Sequence, residues 1–233
     1  MLLEGKKAII TGASGLVGRS VVKCLISRGI PLLCLGRHNF EPKEVQEHFG
    51  QGVEYIKIDM TDIRLLQKKI NDKNWDVGKD CVFYNFAWAG INRLTDGSFD
   101  DQMQNAISSS SAVEVASRIG CSKFINCGTL EETYAESSIR NGSVYSSSQD
   151  NYAIAKLACR DMCAMVAYLD KIDYIHTRLS APVSSDLSGQ GFIANTLRKI
   201  QNGAHYEPAQ DNRLYDVIDT SDVAEAYYLL GLY

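Results

Sequence analysis

Two clusters of residues in this 233-residue chain have the types and the spacing to do chemistry. Tyr152-Ala-Ile-Ala-Lys156 sets a phenol and an ammonium four residues apart, one turn along a single helix face. An ordinary tyrosine, with a pKa of about 10, is a poor base at neutral pH. A cation one turn away favours the phenolate, which can exchange a proton with a hydroxyl or a ketone while a hydride moves. The lysine can also bond the ribose of a nicotinamide nucleotide. The second cluster, Thr11-Gly-Ala-Ser-Gly-Leu-Val-Gly18, follows an apolar run at 8–10 and precedes a helical pattern through Val21, Val22, Leu25 and Ile26. Gly12 allows a tight turn, Gly15 lets backbone N–H groups approach a pyrophosphate, and Gly18 lets the helix pack close to the strand. With Ser14, Leu16 and Val17, these glycines make a candidate dinucleotide cradle at the positive end of a helix.

For the two clusters to meet, strands and helices must alternate. Runs at 30–35, 53–58, 81–86, 123–127 and 174–178 read as further strands after the first. Helical patterns fall around 63–70 and at 100–118, 152–169 and 192–201, with a strand near 214–218 and a last helix beyond it. Such βαβ units imply a doubly wound α/β fold, a parallel sheet covered on both faces, with ligands beyond the carboxyl ends of the strands. The glycine turn, Asp59, residues 85–90 and the stretch after Gly128 all reach that edge. Residues 128–150, polar and rich in serine, read as a loop, and Ser108 to Ser111 as small residues that let a helix pack closely. The expected division is a dinucleotide-binding part, 1–178, and a small, possibly truncated substrate lobe, 179–233, interleaved with the last sheet elements in one compact unit.

Composition narrows the function. Hydrophobic residues make up 45% and charged residues 22%, both ordinary for a globular domain. A net charge of −4 with no basic stripe argues against nucleic acid as a partner. No apolar run approaches the roughly 20 residues of a membrane helix, and the first residues carry no secretory signal, so the cytoplasm is the expected compartment. Seven cysteines without a CxxC suggest neither a disulfide framework nor a zinc site. His38, His48, His176 and His205 show no metal spacing and no evident acid partner, and no metal is expected.

The end of the second strand bears on the cofactor. An acidic residue there commonly holds the ribose 2′-hydroxyl of NAD. This chain has Gly36-Arg37-His38 instead, and a guanidinium pairs with a 2′-phosphate. NADP is therefore the expected cofactor, with NAD as the alternative.

Taken together, the sequence resembles the extended short-chain dehydrogenase/reductases of the nucleotide-sugar epimerase/dehydratase/reductase type. The resemblance rests on Thr11–Gly18, Asp59-Met60, Asn85-Phe-Ala-Trp-Ala-Gly90, Asn105, Gly128-Thr129, Tyr152 with Lys156, and the segment Arg213 to Asp222. It implies a Rossmann fold, a catalytic Tyr152 activated by Lys156, and a Thr129 hydroxyl bonded to the reacting sugar oxygen. It makes Asn105 a structural and proton-relay residue. It places Asp59 and Met60 at the adenine and Phe86, Ala87 and Trp88 along the cofactor. It sets Arg213 at a substrate diphosphate and implies a homodimer through the helices at 100–118 and 152–169. The implied activity is 4-keto reduction or epimerisation of a nucleotide-activated sugar.

Glu131 and Glu132 keep a second reaction open. Dehydratases of this type carry an acidic pair directly after the threonine, whereas here Leu130 intervenes. A solvated acidic loop is the plainer reading, so a 4,6-dehydratase using Glu131 and Glu132 ranks second. A non-catalytic NAD(P)-binding sensor is the alternative of another class, although such relatives typically lose the Tyr/Lys pair. Arg178-Leu-Ser-Ala-Pro-Val183 departs from the family's usual turn, and relatives commonly continue past residue 233. A minimal member or a fragment is expected.

Overall fold

The computed structural model describes residues 6–90, 98–142, 149–204 and 216–233. Six parallel strands form its main sheet: β1 (Lys6–Thr11), β2 (Leu32–Gly36), β3 (Val53–Lys57), β4 (Asp80–Asn85), β5 (Lys123–Thr129) and β6 (Asp173–Leu179). Their order is β3-β2-β1-β4-β5-β6, so the chain winds outward from β1 in one direction and then in the other. The helices are α1 (Leu16–Ser27), α2 (Pro42–Phe49), α3 (Leu66–Lys73), α4 (Phe99–Arg118), α5 (Glu132–Asn141), α6 (Gln149–Asp170), α7 (Phe192–Gln201) and α8 (Thr220–Leu232). A 3-10 helix, Met60–Leu65, precedes α3. The doubly wound parallel α/β architecture expected from the alternation is the one observed.

Period-2 alternation in the strands feeds two cores. Ala8, Ile10, Leu32, Cys34, Val82 and Ile125 face α1, α2 and α8, where they meet Val21, Val22, Leu25, Phe49, Val223 and Tyr227. On the opposite face Ile9, Leu33, Phe83 and Phe124 meet Ile70 of α3, Val113 and Ala116 of α4, and Cys159 and Cys163 of α6. Phe83 and Phe124 are paired in register and stack with centroids 5.0 Å apart. Buried serines at 108, 109 and 110 keep the buried side of α4 narrow, as their small size predicts.

Two local features depart from the sequence reading. The stretch 128–150 is not all loop, because α5 occupies its first half. Its apolar contact with α6 is small, Ala135 against Ala153 and Leu157, and its inward side carries Glu132 and Glu136, so hydrophobic periodicity had little to register. Helix α2 also went unread. Pro42 opens it, and Glu41 and Glu44 form a reciprocal capping box that compensates for a short apolar face.

After β6 the chain forms β7 (Ala181–Val183), which pairs in parallel with β8 (Val217–Asp219). Helix α8 then returns to the sheet beside α1, with Val223, Ala224 and Tyr227 buried. The last carbonyls of α8 accept bonds from Lys6 and Lys123, at the amino ends of β1 and β5.

Candidate active site

The glycine turn at the end of β1 is dictated by close backbone approach. Gly12 has a φ of +65°, and a Cβ there would lie 2.7 Å from the Ala87 nitrogen and the Phe86 carbonyl carbon. A Cβ on Gly18 would lie 2.3 Å from the Gly12 carbonyl oxygen, so only glycine lets α1 start this close to β1. Gly15 is the N-cap of α1, offers no side-chain cap, and is exposed. No acidic side chain occupies the first turn. The N–H groups that begin α1 therefore face outward with the positive end of the helix and no competing carboxylate, which suits a pyrophosphate. Ser14, Leu16 and Val17 belong to the same turn.

A row of polar side chains in register crosses the sheet: Thr11 and Asn85 at the ends of β1 and β4, and Asn126 and His176 in the middle of β5 and β6. Thr11 Oγ1 donates to Asn85 Oδ1 at 2.7 Å and accepts from the Ala87 nitrogen at 3.2 Å. Asn85 Nδ2 donates to Asn126 Oδ1 at 2.9 Å and to Ser109 Oγ at 3.1 Å. Asn126 Nδ2 lies 3.1 Å from His176 Nδ1. With the Asn126 amide donating, Nδ1 accepts, and Nε2 is left to donate on the other side of the ring.

That donor has an acid partner after all. His176 Nε2 lies 3.0 Å from both oxygens of Glu132, whose side chain is fully buried. The Thr129 N–H donates to Glu132 Oε1 at 2.8 Å, and Arg178 Nε reaches Oε2 at 3.3 Å. Glu132 is thus not part of a solvated acidic loop. The carboxylate is buried because its donors come from two strand ends. Gly128 makes room for it, since a Cβ there would lie 2.2 Å from His176 Nε2 and 2.4 Å from Glu132 Oε1. Arg178 continues to Glu136 at 2.7 Å, and Glu136 pairs with Arg160 on α6. The sequence reading missed this set, although Tyr174, His176 and Arg178 alternate with Ile175, Thr177 and Leu179 along β6, a period-2 signal of one polar face.

Tyr152 and Lys156 lie on α6, both buried, and meet one aromatic ring. The Lys156 ammonium stands 3.8 Å above the centre of Trp88, and Tyr152 packs edge-on to Trp88 at 5.9 Å. Lys156 Nζ also donates to the Cys127 carbonyl at 2.8 Å, two residues before Thr129, and so ties α6 to the end of β5. The Trp88 indole N–H donates to Gln102 on α4. Asn105, also on α4, bonds both the N–H and the carbonyl of Ala89, so its side chain fixes the backbone beside Trp88.

The remaining expected residues fall as follows. Phe86 sits edge-on to Tyr227, with Ala87 next to it at the Gly12 turn. Arg37 is exposed just beyond β2. Asp59 caps the 3-10 helix by accepting from the Thr61 N–H and hydroxyl. Its carboxyl is held below the usual range, first by the Thr61 N–H, with the Thr61 hydroxyl and Arg37 adding and burial opposing. Met60 packs against the sheet. Glu131 donates its N–H to Thr129 Oγ1 at 3.3 Å. Arg213 and His205 lie outside the described residues.

The model of the NAD dependent epimerase/dehydratase family matches residues 8–231. The chain belongs to this family. Among solved structures, the Bordetella bronchiseptica enzyme WbmG in complex with NAD superposes with a TM-score of 0.73 at 18% identity, covering 98% of this chain and 70% of that one. UDP-glucose 4-epimerase from Thermotoga maritima, solved with UDP-glucose, gives 0.73 at 18% identity, covering 96% and 72%. These likenesses speak of the fold. In sequence, 3-oxoacyl-[acyl-carrier-protein] reductase of Vibrio harveyi is 23% identical over 165 residues. This epimerase/dehydratase-family chain spans 64% of the length of the curated relatives it matches.

The buried acidic cluster makes stability depend on pH with a definite sign. Burial pushes the Glu132 carboxyl up, but the His176 and Thr129 bonds and the Arg178 charge outweigh it, so the group stays below its ordinary value. Arg178 and Arg160 bring Glu136 down to about 2. Carboxyls depressed by folding stabilise the native state above the unfolded pKa of about 4.3 and lose that contribution as pH falls through the folded values. We expect Tm to fall between about pH 4.5 and about pH 2, and the fall to be shallower in a Glu132→Gln/Glu136→Gln double variant. Parallel curves for the two proteins, followed by circular dichroism, would remove the cluster from the acid response.

Proposed function

We propose that the protein is an NAD(P)-dependent oxidoreductase or epimerase acting at a ring carbon of a nucleotide-activated sugar. The observation that carries this reading is Lys156, which bonds the Cys127 carbonyl two residues before Thr129 and shares the Trp88 ring with Tyr152, in a sheet whose β1 ends in the glycine turn. Bound nicotinamide dinucleotide supplies or accepts the hydride. Tyr152 exchanges the proton with the sugar oxygen, and Lys156 is the nearby positive charge that stabilises the phenol oxygen as that proton leaves. Thr129 donates to the same sugar oxygen. Neighbours solved with UDP, with UDP-glucose and with UDP-glucuronic acid support a nucleotide-sugar substrate.

The surroundings of Glu132 favour this over the dehydratase reading. An acid for a leaving hydroxyl and a base for an α-proton must both be open to the substrate, whereas the Glu132 carboxylate is fully buried with its oxygens engaged by His176, Arg178 and the Thr129 N–H. The test is to present NADPH or NADH with a panel of nucleotide-linked 4-keto and 4-hydroxy sugars, following nicotinamide absorbance and product mass. A reductase consumes reduced cofactor and yields a product two hydrogens heavier. An epimerase changes the sugar without net cofactor loss. In either case Tyr152→Phe should lower kcat by at least about 100-fold with cofactor affinity retained. Undiminished turnover by that variant would reject the assignment.

NADP is our preferred cofactor, on the strength of an exposed Arg37 where an acidic residue would select NAD. The NAD-bound neighbours support a nicotinamide dinucleotide in general. Arg37→Ser should weaken NADPH binding about tenfold and leave NADH within about twofold. Equal losses for both cofactors would assign Arg37 no part in the choice.

A homodimer fits the outer surface of α4 and α6. Phe99 and Ile107 on α4, and Met162, Met165 and Leu169 on α6, are exposed apolar residues at helical spacing on helices that pack together. Sedimentation should show a dimer that Met165→Glu converts to monomer. A monomeric wild type at about 50 μM, well above a typical micromolar dissociation constant, would reject it.

A further inference from the structure

We propose that Glu132 is the positioning residue for Thr129, with His176 and Arg178 holding its carboxylate in place. The inference rests on the reading of Thr129 as the hydroxyl that meets the sugar oxygen, and it gives that hydroxyl a support which the family motifs do not name. Glu132 is one of the most deeply buried side chains in the molecule, and its charge is met by donors from three directions. The Thr129 N–H comes from the end of β5, His176 Nε2 from the middle of β6, and Arg178 Nε from two residues further along β6. A buried carboxylate with this many partners cannot turn, since any rotation strands a charge or a donor in the protein interior.

The consequence for Thr129 is geometric. Its N–H is fixed to Glu132, and its own hydroxyl oxygen accepts from the Glu131 N–H, so both ends of the residue are tied to the turn that opens α5. The peptide plane sets where the hydroxyl can point. A hydroxyl that must reach a reacting oxygen gains rate from being held, and a displacement of about 1 Å can cost on the order of 100-fold. Gly128 shows that this support is specified in the sequence, because any side chain there would collide with both His176 and Glu132. His176 is itself held by Asn126, the register partner of Asn85, so the support extends into the sheet.

A positioning role differs from general structural support in what it does to turnover. The test uses the full chain and whichever nucleotide-linked sugar of the panel the wild type turns over, with NADPH or NADH as the probe of cofactor binding. Glu132→Ala should lower kcat roughly 10- to 100-fold, with KM and cofactor affinity within about threefold. Glu132→Gln, which keeps an acceptor for the Thr129 N–H, should recover most of that loss. In a Thr129→Val background, Glu132→Ala should cost no further turnover, because the group it positions is gone. Should Glu132→Ala fail to fold, the same cycle is run with Glu132→Gln, whose smaller loss must vanish in the same way. Equal losses in the two backgrounds, or a loss confined to KM and cofactor affinity, would overturn the proposal. Absence of turnover by the wild type with every sugar would instead defeat the proposed function, before any Glu132 variant is compared, and this reading with it.

Discussion

The structure depends on a change of chemistry along one face of the sheet. Ile9, Phe83, Phe124 and Tyr174 occupy one register row, its three rings stacked in turn and the two phenylalanines buried completely. Two residues onward on the same face the row is Thr11, Asn85, Asn126 and His176, joined side chain to side chain. Polar groups at this depth are tolerable only when each finds a partner, and in-register parallel strands supply partners at a fixed spacing. The row therefore fixes the relative height of β1, β4, β5 and β6. A one-residue slip of any of these strands would turn the threonine, an asparagine or the histidine toward the opposite core.

The two halves of the candidate site follow from that row. At one end Thr11 accepts from the Ala87 nitrogen, which brings the backbone after β4 within contact of Gly12 and leaves room there for glycine alone. At the other end His176 meets Glu132, and Glu132 takes the Thr129 N–H. Between them, Lys156 binds the Cys127 carbonyl and lies over Trp88, so α6 is attached to β5 and to the loop after β4 together. The glycine cradle and the Tyr152 helix are far apart in sequence, and one buried hydrogen-bonded row sets the distance between them.

Much of this was legible in the sequence, because its causes are local. The Gly12, Gly15 and Gly18 spacing, the four-residue step from Tyr152 to Lys156 and the alternation of strands with helices each follow from backbone geometry. What stayed hidden was decided by partners distant in the chain. His176 looked unpartnered because its acid stands 44 residues earlier, and Glu132 looked solvated because nothing nearby in sequence announces His176 and Arg178. Helix α5 leaves little trace in the sequence for the same reason, since its inward face is secured by ion pairs more than by apolar residues. Hydrophobic periodicity detects what burial drives, and here burial is driven by charge compensation.

The segment after β7 adds a last constraint on the cradle. Arg19, in the first turns of α1, bonds Ser188 and lies 3.7 Å from Asp186. Gly189 rests against Leu16, where a Cβ would lie 3.2 Å from its side chain. Residues near 186–189 thus fold back onto the first turn of α1, whose N–H groups face the expected phosphates. One side of the cradle belongs to the beginning of the chain, and what lies against it arrives some 170 residues later. The chain reaches this position directly after β6, which is paired with β5, and after β7. The pairing of β6 with β5 thus precedes, along the chain, the segment that lies against α1, and the same pairing seats His176 beside Glu132.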